Sequence, residues 1–327
     1  MPRLQGAYAL AVLWADAPGA LVVARKAAPL LIGLGEGEFL CASDTPALAG
    51  FTRTILPMED GEVALLSPLG IELYDAEGAR QQRTPTMLSG SDHIADKRHF
   101  RHFMLKEIHE QPETARLWVD RHLPVGLPAS NPVALPFEES FYEGVERIQL
   151  LACGTSRHAA LVGAYLLEQF AGLPTSVFYA SEFRYAPPPL APHTLTIGVT
   201  QSGETADTVG GSQLWMPSGG RRMAKPGLCA SVSWASPIAP RALWRGRCPT
   251  FLDIGAGIEV GVAATKTFLG QLLAFYGLAV AFAARRGHRS EAEISALLEE
   301  LRALPEQLER LVEHHDKGSE ASGAPLC

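Results

Sequence analysis

Two hydrophobic patterns divide the chain. From residue 1 to about residue 85, short apolar runs alternate with turn signals, as in GAYALAVLWA and GALVVARKA, which are separated by DAPG. Such runs are typical of the strands of a sandwich or a layered sheet. From about residue 140, strand-like runs alternate with longer helical patterns, which is typical of a parallel sheet with crossover helices. The sequence therefore predicts a β-rich part followed by an α/β part.

The α/β part contains the clearest elements. RIQLLACG, TSVFYA and TLTIGV predict strands, and TSRHAALVGAYLLEQFAG predicts a helix that Gly172 ends. The long apolar stretch FLGQLLAFYGLAVAFAA is interrupted by Gly and Gln, which favours a buried helix over a membrane span. Ser290 and Glu293 have the spacing of a capping box at the start of the next helix. The last residues, DKGSEASGAPLC, predict an unstructured tail.

The segment that joins the two parts is polar from Thr84 to Lys97 and then becomes helical in RHFRHFMLKEIHEQP. Pro112 predicts the end or a kink of this helix near Glu110. We therefore divide the chain into four segments. They are a β-rich segment 1–90, a linker with its helix 91–139, an α/β domain 140–288, and a helix with a tail 289–327.

Residues 209–252 interrupt the alternation of predicted strands and helices. This segment contains no acidic residue, holds three of the five tryptophans and shows neither a helical nor a strand period. Its composition resembles that of a frame-shifted reading frame. The pattern predicts that the sheet lacks one properly encoded strand here.

Composition narrows the class of protein. The 327 residues are 47% hydrophobic and 19% charged, as in a soluble globular enzyme. A net charge of −7 argues against nucleic acid and against an anionic membrane as partners. Five scattered cysteines without CxxC spacing indicate neither a disulfide framework nor a zinc site, and they favour a reducing cytoplasm. The first residues lack the pattern of a signal peptide. We expect no metal and no cofactor.

Hydroxyl residues follow two of the predicted strands. The stretches are CGTS at 153–156 and TQSGET at 200–205, and both lead into a predicted helix. Ligands of open α/β sheets bind outside the carboxyl ends of the strands, and a helix N-terminus there binds anions. The stretches therefore predict a phosphate site with hydroxyl donors. The alternative, which stays open at this point, is that these residues are only helix N-caps.

Four motifs resemble one family. They are CGTS at 153–156, ASEFRY at 180–185, TQSGETADT at 200–208 and EVGVAATKTF at 259–268. They are similar to the first sugar-isomerase (SIS) domain of the glutamine–fructose-6-phosphate aminotransferases. RHFMLKEIHEQP resembles the helix that precedes the SIS domain in that family. LQGAYALAV, LLIGLGEGEFLCASD and SPLGIELYD resemble the later strands of its N-terminal-nucleophile glutaminase domain.

The resemblance implies a fold and a set of ligand residues. The fold is α/β, with a SIS-type parallel sheet flanked by helices and preceded by a β-rich part of the glutaminase domain. The implied residues for the sugar phosphate are Thr155, Ser156, Thr200, Gln201, Ser202, Thr205 and, through its backbone, Val262. The family commonly has serine at the position of Thr200. By residue type and position, Cys153 is expected to pack at the strand end and not to act as a nucleophile, and Glu204 to cap the following helix or complement its dipole.

The resemblance also implies a reaction. The family forms glucosamine 6-phosphate from fructose 6-phosphate and glutamine. Its glutaminase cysteine and its second SIS domain match nothing in this sequence, so we assign no catalytic residue and expect the isolated chain to be inactive. We expect fructose 6-phosphate and glucosamine 6-phosphate as ligands, glutamine only in a complete enzyme, and a cytoplasmic homodimer that binds no nucleic acid or membrane.

Two other interpretations remain open. The chain could be a non-catalytic SIS module that senses a sugar phosphate, or the product of a non-functional gene fragment. A sensor would carry a helical DNA-binding domain in its first 85 residues, whereas this sequence predicts strands there.

Overall fold

The chain divides into two units, Met1–Asp96 and Lys97–Cys327. The computed structural model describes residues 4–88, 97–189, 191–201, 229–233 and 250–322. The finer predicted division into four segments stays a prediction.

The described part of the first unit consists of two antiparallel sheets. One has the strand order β1-β2-β6-β7-β8 and the other has the order β4-β3-β5-β9. The elements are β1 Tyr8–Leu13, β2 Leu21–Lys26, β3 Leu31–Leu34, β4 Phe39–Ala42, α1 Thr45–Ala49, β5 Thr54–Pro57, β6 Val63–Ser67, β7 Gly70–Tyr74, β8 Arg80–Gln81 and β9 Thr86–Met87.

Apolar side chains of both sheets form one core. Val23 of β2 and Leu66 of β6 belong to the same buried cluster as Ile32 of β3 and Leu56 of β5. The two sheets thus bury apolar side chains against each other, and the alternation is clearest in β6. The predicted layered β-structure is present, and the short helix α1, which Asp44 caps through the Ala47 amide, was not predicted.

The second unit contains a five-stranded parallel sheet in the order β11-β10-β12-β13-β14. Its elements are α2 Phe103–His109, α3 Gln111–His122, a 3-10 helix Glu139–Phe141, β10 Arg147–Ala152, α4 Gly154–Ala171, β11 Thr175–Tyr179, α5 Ala180–Tyr185, β12 Thr194–Val199, β13 Cys229–Ser233, β14 Thr250–Asp253, α6 Lys266–Arg286 and α7 Glu291–Ser322. This arrangement confirms the predicted parallel sheet flanked by helices.

Helix α6 is buried on several sides. Phe275 and Phe282 pack into the core of the sheet, whereas Leu273 and Val280 pack against Trp118 of α3 and the first turns of α7. By length and composition α6 could cross a membrane, but most of it is buried within the protein. Its apolar character all round therefore follows from its central position in the unit.

Two expectations about this unit are wrong. The strand expected to be missing within 209–252 is present as β13, which pairs in parallel with both β12 and β14. A strand inside a parallel sheet need not alternate apolar and polar residues, so the lack of a period did not exclude it. The tail also differs, because α7 continues through Asp316 to Ser322.

The capping box is confirmed, since the Ser290 backbone N–H and hydroxyl both donate to Glu293.

Helices α4 and α6 approach so closely that Gly163 faces the Phe275 ring. A Cβ atom at Gly163 would lie 2.4 Å from two ring carbons. We predict that Gly163→Ala lowers the free energy of unfolding by about 1–3 kcal/mol, although alanine favours helix, because overpacking dominates. Urea unfolding measures this effect. Phe275→Leu should restore part of the loss, and a stabilised single variant would contradict the assignment.

His122, the last residue of α3, makes stability depend on pH. Its Nδ1 lies 2.8 Å from the Ala134 carbonyl oxygen, and burial lowers its pKa below the ordinary value of 6.5. The unfolded chain therefore takes up a proton at a higher pH than the folded protein, so stability falls as the pH drops below about 6.5. We predict that urea midpoints at pH 7.5 and pH 5.5 differ more in the parent than in His122→Asn. An equal difference in both proteins, or a change with the exposed His158→Asn control, would contradict this.

Candidate functional site

Two polar turns lie side by side at the carboxyl edge of the parallel sheet. β10 and β12 pair directly, with Ala152 opposite Val199, so the residues after both strands leave the sheet at the same level. Ala152 also lies opposite Tyr179, the last residue of β11. Because ligands of open α/β sheets bind at the carboxyl ends of the strands, this edge is the candidate site.

The first turn leads from β10 into α4. Cys153 is extended, with φ of −127°, and its side chain makes no capping hydrogen bond. Gly154 follows with φ of +56°, a conformation that glycine adopts without strain. The first N–H groups of a helix have no partner within the helix, so this uncapped N-terminus can donate to an anion.

The two hydroxyl residues of this turn differ in their surroundings. Ser156 is buried, and its Oγ accepts a hydrogen bond of 2.9 Å from Gln271 Nε2 of α6. Thr155 is half-buried. Thr155 therefore has room to meet a ligand, whereas Ser156 is fixed by α6 and retains its own proton to donate.

The second turn follows β12. Thr200 is almost completely buried, and Gln201 is half-buried. The Gln201 amide Nε2 donates to Glu259 Oε2 at 2.7 Å. This bond joins the end of β12 to the loop between β14 and α6, residues 254–265, which we call the β14–α6 loop.

Glu259 organises the β14–α6 loop. Its carboxylate also accepts from the Thr265 backbone N–H at 2.8 Å and from the Thr265 hydroxyl at 3.0 Å, and the Thr267 hydroxyl donates to it as well. These donors belong to the first turn of α6, where a negative charge is favourable. Glu259 thereby holds the loop, the start of α6 and the end of β12 together.

A second carboxylate, which is buried, also holds the loop. Glu107 of α2 accepts from the Val260 N–H at 2.6 Å and from the Gly261 N–H at 3.1 Å. Burial raises the pKa of Glu107, and the two backbone hydrogen bonds oppose that rise. The charge of Glu259 raises this pKa further. Helix α2 is therefore tied to the loop by hydrogen bonds that a nearly inaccessible carboxylate accepts.

An ion pair lies next to this anchor. Lys266, buried at the start of α6, donates to Glu110 at 2.7 Å, and Lys106 lies 3.0 Å from the same carboxylate. Burial by itself would raise the pKa of Glu110, but the hydrogen bonds and charges of Lys266 and Lys106 outweigh it and lower that pKa. Glu107, near the C-terminal end of α2, and Glu110, its C-cap residue, thus both contact the segment 260–266.

Arg157 adds a positive charge at the sheet edge. It lies in the first turn of α4, and its guanidinium is 3.9 Å from the ring centroid of Tyr179, which ends β11. Such stacking orients an arginine without neutralising it. Sequence reasoning missed Arg157, and its only signal was its position one residue after the CGTS motif.

The structure brings four of the implied ligand residues to one edge: Thr155, Ser156, Thr200 and Gln201. Val262 lies on the β14–α6 loop with a fully exposed side chain. Ser202, Glu204 and Thr205 lie outside the described residues. The role of each in binding a phosphate stays a prediction.

Sequence reasoning missed the residues that hold the site together. Glu259 stands inside a motif that was recognised, but its role was not inferred. Nothing in the spacing of the sequence connects Glu107 with a loop about 150 residues later. Within the described ranges, no group of His, Cys, Asp and Glu side chains is arranged to hold a metal ion.

The sequence comparisons agree with the geometry. The SIS domain family matches residues 142–281. A glutamine–fructose-6-phosphate aminotransferase [isomerizing] of Thermosynechococcus vestitus is 48% identical over 322 residues, which are 98% of this chain and 51% of the relative. A relative of the same name from a Nostoc species is 46% identical over 97% of this chain and 51% of its own length.

A solved structure agrees with these sequence similarities. The C-terminal domain of glucosamine-fructose-6-phosphate aminotransferase from Francisella tularensis is similar with a TM-score of 0.55 and 30% identity, covering 64% of this chain and 55% of that chain. The present chain spans about half the length of the curated relatives it matches. Over nearly its whole length the chain is thus similar in sequence to isomerizing glutamine–fructose-6-phosphate aminotransferases, and it contains a SIS domain at residues 142–281.

Proposed function

We propose that the carboxyl edge of the parallel sheet binds the phosphate of fructose 6-phosphate. One observation carries the proposal: the uncapped N-terminus of α4 lies beside the end of β12, to which Glu259 joins the β14–α6 loop. A phosphate is the anion that this combination of helix N-terminus and hydroxyl groups suits best. The names of the relatives supply the identity of the sugar.

Donors for the phosphate come from both turns. The backbone N–H groups at the start of α4 and the hydroxyls of Thr155 and Ser156 form one side of the proposed site. Thr200 and Gln201 form the other side, and we expect Ser202 and Thr205, which follow them in the sequence, to add hydroxyl donors. No P-loop lysine accompanies these stretches, which argues against a nucleotide as ligand. Arg157 contributes a positive charge that attracts the anion to this edge.

The sugar itself would lie against the β14–α6 loop. Val262 is fully exposed there, and the loop backbone is fixed by Glu259 and Glu107. The residues of this chain would therefore bind and orient the sugar phosphate. We assign none of them to the transfer of the amino group.

The proposal extends to the reaction named for the relatives. In it, fructose 6-phosphate is isomerised and aminated with nitrogen from glutamine to give glucosamine 6-phosphate, a precursor of the nucleotide sugar UDP-GlcNAc. We further propose that the protein acts in the cytoplasm as a homodimer. The β-sheets of the first unit favour this enzyme over a sugar-phosphate sensor with a helical DNA-binding domain.

Thr155 offers a conservative test of the phosphate site. We predict that Thr155→Val weakens fructose 6-phosphate binding about 10- to 150-fold, because a hydrogen bond to a charged group contributes about 1.5–3 kcal/mol. Isothermal titration of the 327-residue protein with fructose 6-phosphate and with fructose measures the effect. Thr175→Val is the matched control, since Thr175 begins β11 at the opposite edge of the sheet. Equal binding of both sugars by the parent would refute the phosphate site.

The same titration tests Ser202 and Thr205. We expect Ser202→Ala alone to weaken binding, because several donors share the phosphate, and we expect Ser202→Ala with Thr205→Ala to remove most of it. A double variant that binds fructose 6-phosphate as the parent does would show that these residues are only helix caps.

A further inference from the structure

We propose that Glu107 is a positioning residue, which fixes the part of the β14–α6 loop that meets the sugar. This inference deepens the proposed function and rests on it. Glu107 lies on α2, outside the sheet and outside all the motifs that were assigned to the sugar phosphate. Its contribution would pass through the loop backbone and not through contact with the ligand.

The geometry of the Glu107 carboxylate supports this role. It accepts from the N–H groups of two consecutive residues, Val260 and Gly261, which stand immediately before Val262. Glu107 is only 1% exposed, so these hydrogen bonds replace the water that the carboxylate loses on burial. A buried carboxylate aimed at two successive backbone groups restricts the orientation of both peptide units.

Gly261 supports the same conclusion independently. A Cβ atom at this position would lie 2.6 Å from Glu107 Oε2, whereas no left-handed φ requires glycine there. The absence of a side chain at Gly261 is therefore explained by the approach of the carboxylate and not by the backbone conformation. The loop and Glu107 fit each other at this point.

Glu259 does not provide the same restraint. It binds Gln201, Thr265 and Thr267, so it fixes the base of the loop and the start of α6. The Val260–Gly261 stretch is held by Glu107. Loss of Glu107 would thus free the residues that present Val262 while it leaves the phosphate donors of α4 and β12 in place.

The test compares two ligands in the 327-residue protein. Fructose 6-phosphate contacts the loop in the proposed site, whereas inorganic phosphate meets only the α4 and β12 turns. We expect Glu107→Gln to weaken fructose 6-phosphate binding about 10- to 100-fold, as misplaced positioning groups do, and to leave the affinity for inorganic phosphate unchanged. Glu113→Gln, at an exposed glutamate of α3, is the matched control and should change neither affinity.

Hydrogen–deuterium exchange provides a second readout that needs no ligand. Exchange of the Val260 and Gly261 amides should become faster in Glu107→Gln, with an unchanged melting temperature for the rest of the unit. Gly261→Ala should have a similar effect in the parent. It should add little in a Glu107→Ala background, where the carboxylate that meets the new Cβ is absent.

The outcomes separate the two proposals. If the parent binds fructose 6-phosphate and Glu107→Gln binds it equally well, the positioning role is wrong and the proposed function stands. A parallel loss of both ligands would assign Glu107 to general stability and would also overturn the positioning role. If the parent binds no sugar phosphate, the proposed function fails. In that case, unchanged exchange at Val260 and Gly261 in Glu107→Gln would also refute the restraint of these residues by Glu107.

Discussion

The candidate site depends on the hydrogen bonds that the Glu259 carboxylate accepts. It accepts hydrogen bonds from the end of β12 through Gln201 and from the first turn of α6 through Thr265 and Thr267. No regular secondary structure spans the residues between β14 and α6, so backbone ladders cannot fix this loop. A single charged acceptor with several donors replaces them, and it gains from the positive end of α6.

An acidic residue beside a proposed phosphate site requires an explanation. Glu259 and Glu110 are both surrounded by donors: the former by amide and hydroxyl groups, the latter by Lys266 and Lys106. Their charges are compensated locally, which limits their repulsion of an incoming anion. The N-terminus of α4 has no side-chain acceptor from its N-cap residue. Its free N–H groups therefore make it the position where binding of an anion is most favourable.

The fold was largely predictable from the sequence, whereas the contacts that shape the site were not. Strand and helix periods located the parallel sheet, and the capping box marked the start of α7 at Ser290. β13 was missed because its five residues, Cys229–Ser233, form too short a run to stand out within the segment 209–252. Glu107 was missed for a different reason. Its partners are backbone N–H groups about 150 residues away, and every residue type except proline carries such a group, so the sequence does not reveal which ones bind Glu107.

The glycines of the β14–α6 loop explain why its shape depends on side-chain carboxylates. Gly255 and Gly257 adopt left-handed φ values of +65° and +67°, which let the chain turn sharply after β14. Glycine also leaves the loop with high conformational freedom before folding, and that freedom opposes a fixed shape. The carboxylates of Glu259 and Glu107 offset this cost because each orders two or more backbone or hydroxyl groups at once. The shape of the loop is therefore determined by Glu259 and Glu107.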